Sequence, residues 1–262
     1  MPPPGFEPFV RAICANPDED TVRLVYADWL DENGDPDRAA FIRLQIEWAR
    51  TDHKLPRHAE LRDRVIALVR AHGAAWLAEL PSAGVSWDTG FPWGPFYRGF
   101  PVSAVVMHGG RFAAETAERL FALAPIEHLV FPRTALDEIA LALECPHVAP
   151  ITGFTVVWAS PNAPWDDLCA VLTGFTHLTR LESFWLGGGT GRGGAALARA
   201  PFFPQLRELG IERAQLSDAD VLSLAVRLDP ERVRRLAVPR TLGEPTLDAL
   251  RARFAAGTVV VQ

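Results

Sequence analysis

A six-residue pattern, apolar-x-x-apolar-x-apolar, returns at intervals of 24 to 30 residues through the C-terminal two thirds of this chain. The copies occupy residues 102–107, 126–131, 151–156, 181–186, 206–211 and 233–238, and residues 258–261 form a degraded last copy. Between copies, the runs 113–123, 137–144, 164–172, 194–200, 218–228 and 245–254 read as helical. One strand-plus-helix unit of this length cannot bury its own apolar face. Successive units must stack, so the period predicts a solenoid.

The spacing is that of a strand-plus-helix leucine-rich repeat of the ribonuclease-inhibitor type. In each copy the three apolar positions turn into the core. The residues flanking the middle one point to the concave face, because side chains alternate along a strand. The expected face runs Ala104/Val106, His128/Val130, Gly153/Thr155, Ser183/Trp185, Glu208/Gly210 and Arg235/Ala237. The asparagine ladder of such repeats is missing, so the turns must be satisfied by other groups. Trp185 stands out, because Trp and Arg are over-represented among interface hot spots and Arg235 and Glu208 lie nearby. A neighbouring loop folded over it is the alternative reading.

Residues 1–80 read as a helical module. Helices are expected over 6–15, 21–32 and 38–49, with a longer one over 58–80 interrupted near Gly73. Asp18 and Asp20 offer N-caps for the second, and Asn33-Gly34 is a C-cap signal. Val22, Val25, Tyr26, Trp29 and Leu30 make that helix's apolar stripe. Residues 81–101 are rich in Gly, Pro and aromatic groups, which predicts a hairpin or irregular connector before the repeats at 102–262. Its aromatics, Trp87, Phe91, Trp93, Phe96, Tyr97 and Phe100, read as packing groups.

The N-terminal motif is dense: Asn16-Pro17-Asp18, then Arg23-Leu24-Val25-Tyr26-Ala27-Asp28-Trp29-Leu30, Gly34-Asp35-Pro36 and Phe41-Ile42-Arg43-Leu44-Gln45. It resembles the repeat-companion domain of planctomycete and myxobacterial proteins, and covers about a sixth of the chain. That resemblance implies a bacterial protein in which a helical module precedes leucine-rich repeats, with Tyr97-Arg98-Gly99-Phe100 at the junction. It implies no catalytic residue. Asp28, Asp31, Glu32 and Asp35 read either as an acidic recognition patch or as helix caps paired to Arg23 or Arg43.

Net charge is −6, and residues 1–50 alone hold ten acidic groups against five Arg. Nucleic acid and anionic membrane are therefore unexpected partners. Three widely spaced cysteines, Cys14, Cys145 and Cys169, fit buried thiols in a reducing compartment. With no signal peptide and no membrane span expected, the cytoplasm is the expected location. Residues 189–194 spell GxGxxG after a strand, with Glu212 placed as a ribose-binding acid would be. Against a dinucleotide site, Pro201 and Pro204 leave only a short helix and the match falls within one repeat. No GxSxG, HExxH or Cys/His zinc spacing is present. His128 and Glu208 lie three strands apart, too far to share chemistry.

The sequence thus predicts an α/β chain: a helical module at 1–80, a connector at 81–101 and a leucine-rich repeat solenoid with a parallel sheet at 102–262. The expected function is non-enzymatic. A protein partner would be held by His128, Val130, Thr155, Ser183, Trp185, Glu208 and Arg235, with Asp28, Asp31 and Glu32 as a second surface. No cofactor or metal is expected. The alternative is a nucleotide-binding protein or enzyme using loop 187–194.

Overall fold

The structure is a computed structural model that describes residues 4–157, 165–188, 194–211 and 214–262. It is mixed α/β, and its main sheet has eight mostly parallel strands. The chain opens with α1 (Glu7–Ala15), α2 (Asp20–Glu32), α3 (Pro36–Arg50), α4 (Pro56–Leu68) and, after a π-helical turn (Val69–Gly73), α5 (Ala74–Leu77). Short strands β1 (Val85–Ser86), β2 (Phe96–Tyr97), β3 (Phe100–Pro101) and β4 (Ser103–Val106) follow. Next come α6 (Gly109–Arg111), a second π turn (Phe112–Thr116) and α7 (Ala117–Leu123). Strands and helices then alternate: β5 (His128–Pro132), α8 (Leu136–Glu144), β6 (Gly153–Val157), α9 (Trp165–Leu172), β7 (Ser183–Gly187) and α10 (Gly194–Leu197). The series closes with β8 (Glu208–Gly210), α11 (Asp218–Arg227), β9 (Arg235–Val238), α12 (Glu244–Arg253) and β10 (Val259–Val261). Two compact units result: residues 1–105 with 114–127, and residues 106–113 with 128–262.

In the first unit the helices start and stop where local chemistry requires. Glu19, not Asp18 or Asp20, caps α2, its carboxylate accepting from Thr21 N at 2.8 Å. Asp20 is instead the first helical residue, buried and paired to Arg50 at 2.7 Å. Gly34 takes a left-handed φ of +92° after α2 and Asp35 caps α3, so two helices turn within three residues. The core has two clusters. One joins Val10, Ile13, Tyr26, Leu30, Ile42 and Phe100; the other joins Phe41, Leu44, Leu61, Val65 and Phe96. Tyr26 and Trp29 stack at 5.9 Å and both meet Phe9, which fixes α2 on α1.

The conserved-looking spacing of the N-terminal motif has a physical focus in the β2–β3 hairpin. Arg98 (φ +50°) and Gly99 (φ +88°) make its turn, both left-handed as a type I′ turn requires. Arg23, 1% exposed, donates to Pro17 O at 2.7 Å and to Arg98 O at 3.0 Å. Gln45, also buried, accepts from Gly99 N at 2.6 Å and donates to Phe96 O. Arg98 donates to Asp18 O at 2.9 Å. Arg23 on α2 and Gln45 on α3 thus satisfy one hairpin's backbone. Phe96 and Phe100 are buried as packing groups, whereas Phe91 and Tyr97 are 60% and 44% exposed and do not fill that role.

In the second unit β5, β6, β7, β8, β9 and β10 pair in chain order, every pair parallel. Strands β5 to β9 each begin two residues after the start of their sequence pattern. The leading apolar residues Ile126, Ile151, Leu181, Leu206 and Val233 are buried in the turn that enters the strand. One sheet face carries Leu129, Phe131, Phe154, Val156, Phe184, Leu186, Leu209 and Leu236, all buried; Phe154 meets Phe184 at 4.8 Å and Phe202 at 6.3 Å. Helices α8 to α12 pack each against the next.

Polar side chains reach back to carbonyls of the preceding segments. His177 meets Leu143 O at 2.7 Å, Gln205 donates to Leu178 O at 3.2 Å, and Arg227 to Ala198 O at 3.3 Å. Arg253 donates to Ala225, Val226 and Leu228 O. Each bond spans 25 to 34 residues, about one repeat, so each unit ties off carbonyls left open by the one before.

Candidate functional site

The face of β5–β9 opposite the apolar core gathers the residues singled out in the sequence. Parallel register aligns them into two rows. One runs His128, Gly153, Ser183, Glu208, Arg235; the other runs Val130, Thr155, Trp185, Gly210, Ala237. His128, Val130, Thr155, Ser183, Trp185 and Glu208 are half-buried, and Arg235 is exposed. Ala104, Val106 and Ala237, also expected on this face, are fully buried and offer no contact surface.

Two glycines decide how the large side chains lie. A Cβ at Gly153 would stand 2.5 Å from His128 Nδ1, and one at Gly210 would stand 1.9 Å from Trp185 Cε3. Each ring therefore lies flat across the glycine of the next strand, a close approach that only glycine permits. His128 reaches over Gly153 to Thr155, Nε2 to Oγ1 at 2.8 Å. Burial pushes its pKa down to about 4, so the imidazole is neutral at pH 7. A general acid–base group needs a pKa near the working pH, which His128 lacks.

Trp185 anchors the centre. Its Nε1 donates to Ser183 Oγ at 3.0 Å, and the Arg235 guanidinium carbon stands 4.8 Å above its ring. Ser183 Oγ makes a longer bond of 3.4 Å to Glu208. Glu208 and Arg235 are register partners, yet they form no ion pair among the described residues. The result is an indole platform with a carboxylate and a guanidinium beside it, neither in an ion pair among the described residues.

On the first unit, Arg43 pairs with Asp28 at 2.6 Å and with Asp31 at 2.7 Å. Arg23 takes no part, being committed to the hairpin. The patch is therefore partly neutralised, and Glu32 is its remaining exposed acid. Among the described residues no group of His, Cys, Asp and Glu is arranged to hold a metal ion. No helix among them is long and apolar enough to cross a membrane. Residues 189–193 of the glycine loop, with Glu212, lie outside the described residues.

No family model matches this chain, and no solved structure matches it. The sequence missed the glycine seats and the Arg23–Gln45 clasp. Alignment of the repeats held a signal for the first, since Gly153 and Gly210 each follow a large residue, His128 and Trp185, at the equivalent position one repeat earlier.

Proposed function

We propose that this chain is a non-enzymatic binding protein of the bacterial cytoplasm. Its helical repeat-companion module precedes a short leucine-rich repeat solenoid, and the open face of β5–β9 holds a protein partner. The observation that carries this reading is the Trp185 platform, seated over Gly210 and flanked by Glu208 and Arg235, which form no ion pair among the described residues. An aromatic anchor beside an Arg is the composition of an interface hot spot. The neutral His128 favours recognition over catalysis. Net charge of −6 favours a protein over nucleic acid as partner. The surface at Asp28, Asp31 and Glu32 is the secondary contact.

Affinity capture from the host lysate, comparing wild type with a Trp185→Ala/Arg235→Ala double variant, tests the assignment. A partner retained by wild type and lost by the variant supports it. Equal recovery by both proteins refutes the face as the binding surface.

A further inference from the structure

The first unit contains a cavity of about 700 Å³ that the sequence does not announce. Phe6, Tyr26, Trp76, Phe100, Leu123 and Arg38 are among its lining groups. Arg38 is unusual within it. Its guanidinium carbon sits 4.6 Å above the Trp76 ring and 5.5, 5.6 and 5.7 Å from those of Phe96, Phe100 and Phe41. Its Nη1 is buried and has no hydrogen-bond partner among the described residues. The side chain forms no ion pair among them either: Asp35, three residues earlier, uses its carboxylate on the Arg38 backbone N–H at 3.1 Å to cap α3.

Burial lowers the Arg38 pKa to about 10, with the charges of Tyr26, Asp35 and Glu79 opposing the shift, so the group is cationic at neutral pH. Other arginines of this unit find acceptors: Arg23 donates to two carbonyls, although its Nε has no partner among the described residues, and Arg43 pairs with two carboxylates. Aromatic faces stabilise a guanidinium from above and below but do not satisfy its N–H groups. A buried donor left unmade is costly and rare in folded proteins. Arg38 lines a cavity large enough for a small ligand.

We propose that this cavity is a binding site for a small amphipathic carboxylate, whose carboxyl group accepts from Arg38 and whose apolar body packs against Trp76, Phe100 and Tyr26. Guanidinium and carboxylate match in planar, two-point geometry, and the aromatic walls exclude a fully hydrated inorganic anion. Arg119 and Glu79, both exposed, stand among the lining groups and offset one another in charge. The site is separate from the strand face, and its assignment does not depend on a protein partner.

Titration calorimetry on the full chain with 4-phenylbutyrate, its neutral amide and inorganic phosphate tests the site. The expected result is saturable binding of the carboxylate, with the amide and phosphate each at least tenfold weaker. Arg38→Gln should weaken the carboxylate about ten- to hundredfold, the loss of one charge-assisted pair. Arg119→Ala should change it less than threefold. No saturable binding by wild type, or equal affinity for acid and amide, overturns the proposal. Should Arg38→Gln fail to fold, the acid-to-amide ratio on wild type decides alone.

Discussion

Substituting Gly210 by Ala puts the arrangement of the binding face to a quantitative test. The new Cβ would lie 1.9 Å from Trp185 Cε3 and 2.5 Å from two further ring atoms, so the indole has to leave its seat. Leaving breaks the 3.0 Å bond to Ser183 and the 4.8 Å stack under Arg235. Those losses amount to about 0.5–1.5 kcal/mol for the hydrogen bond and about 0.5–1 kcal/mol for the cation–π contact. Gly210 has no positive φ, so Ala suits the strand backbone and regains about 0.5–1 kcal/mol of conformational entropy. The net expectation is a destabilisation of about 0–2 kcal/mol in urea unfolding. The decisive comparison is a double-mutant cycle. In a Trp185→Ala background the clash partner is gone, and Gly210→Ala should be neutral or stabilising. An equal cost in both backgrounds would refute the claim that Gly210 exists to seat Trp185.

Two further outcomes follow from other parts of the molecule. His128 has a folded pKa near 4 against 6.5 unfolded, so the unfolded chain binds more protons between those values; stability is full above pH 6.5, falls by at most about 3 kcal/mol down to pH 4, and is flat in this group below it. Urea unfolding from pH 4 to 7 should show that fall in wild type but a shallower one in His128→Gln, and parallel curves would contradict the burial of the ring. Gly99→Ala combines a φ of +88° with a Cβ 2.8 Å from Ile42 Cα, for a cost of about 2–5 kcal/mol. Gly34→Ala, at φ +92° with open space around it, should cost only the backbone share of about 1–2 kcal/mol, so similar losses at both sites would show that the approach to Ile42 is unimportant.

The succession of parallel strands was legible because each stretch of the pattern places three apolar residues at fixed spacing, set by burial and independent of detail. Its strand starts were misplaced by two residues, since an apolar residue such as Ile126 or Leu181 is equally at home in a buried turn. Caps were less legible: Asp18 and Asp20 are the residue types that favour an N-cap, yet Glu19 caps the helix while Asp20 is buried against Arg50. The clasp made by Arg23 and Gln45 was not legible, because their hairpin partners are backbone groups 51 to 75 residues away. The rows of the candidate face were readable from alternation. The direction in which His128 and Trp185 lean was not, because it depends on glycines in the neighbouring strand.

Photo-crosslinking from the strand face tests the central claim most directly. A benzoylphenylalanine placed at Thr155, between His128 and Trp185 on the two rows, is compared with one at Leu141, which is exposed on α8. The account predicts a discrete protein adduct from position 155 in host lysate, suppressed by Trp185→Ala/Arg235→Ala, and none from position 141. An adduct from position 141 with none from 155 would place the partner elsewhere and contradict the assignment.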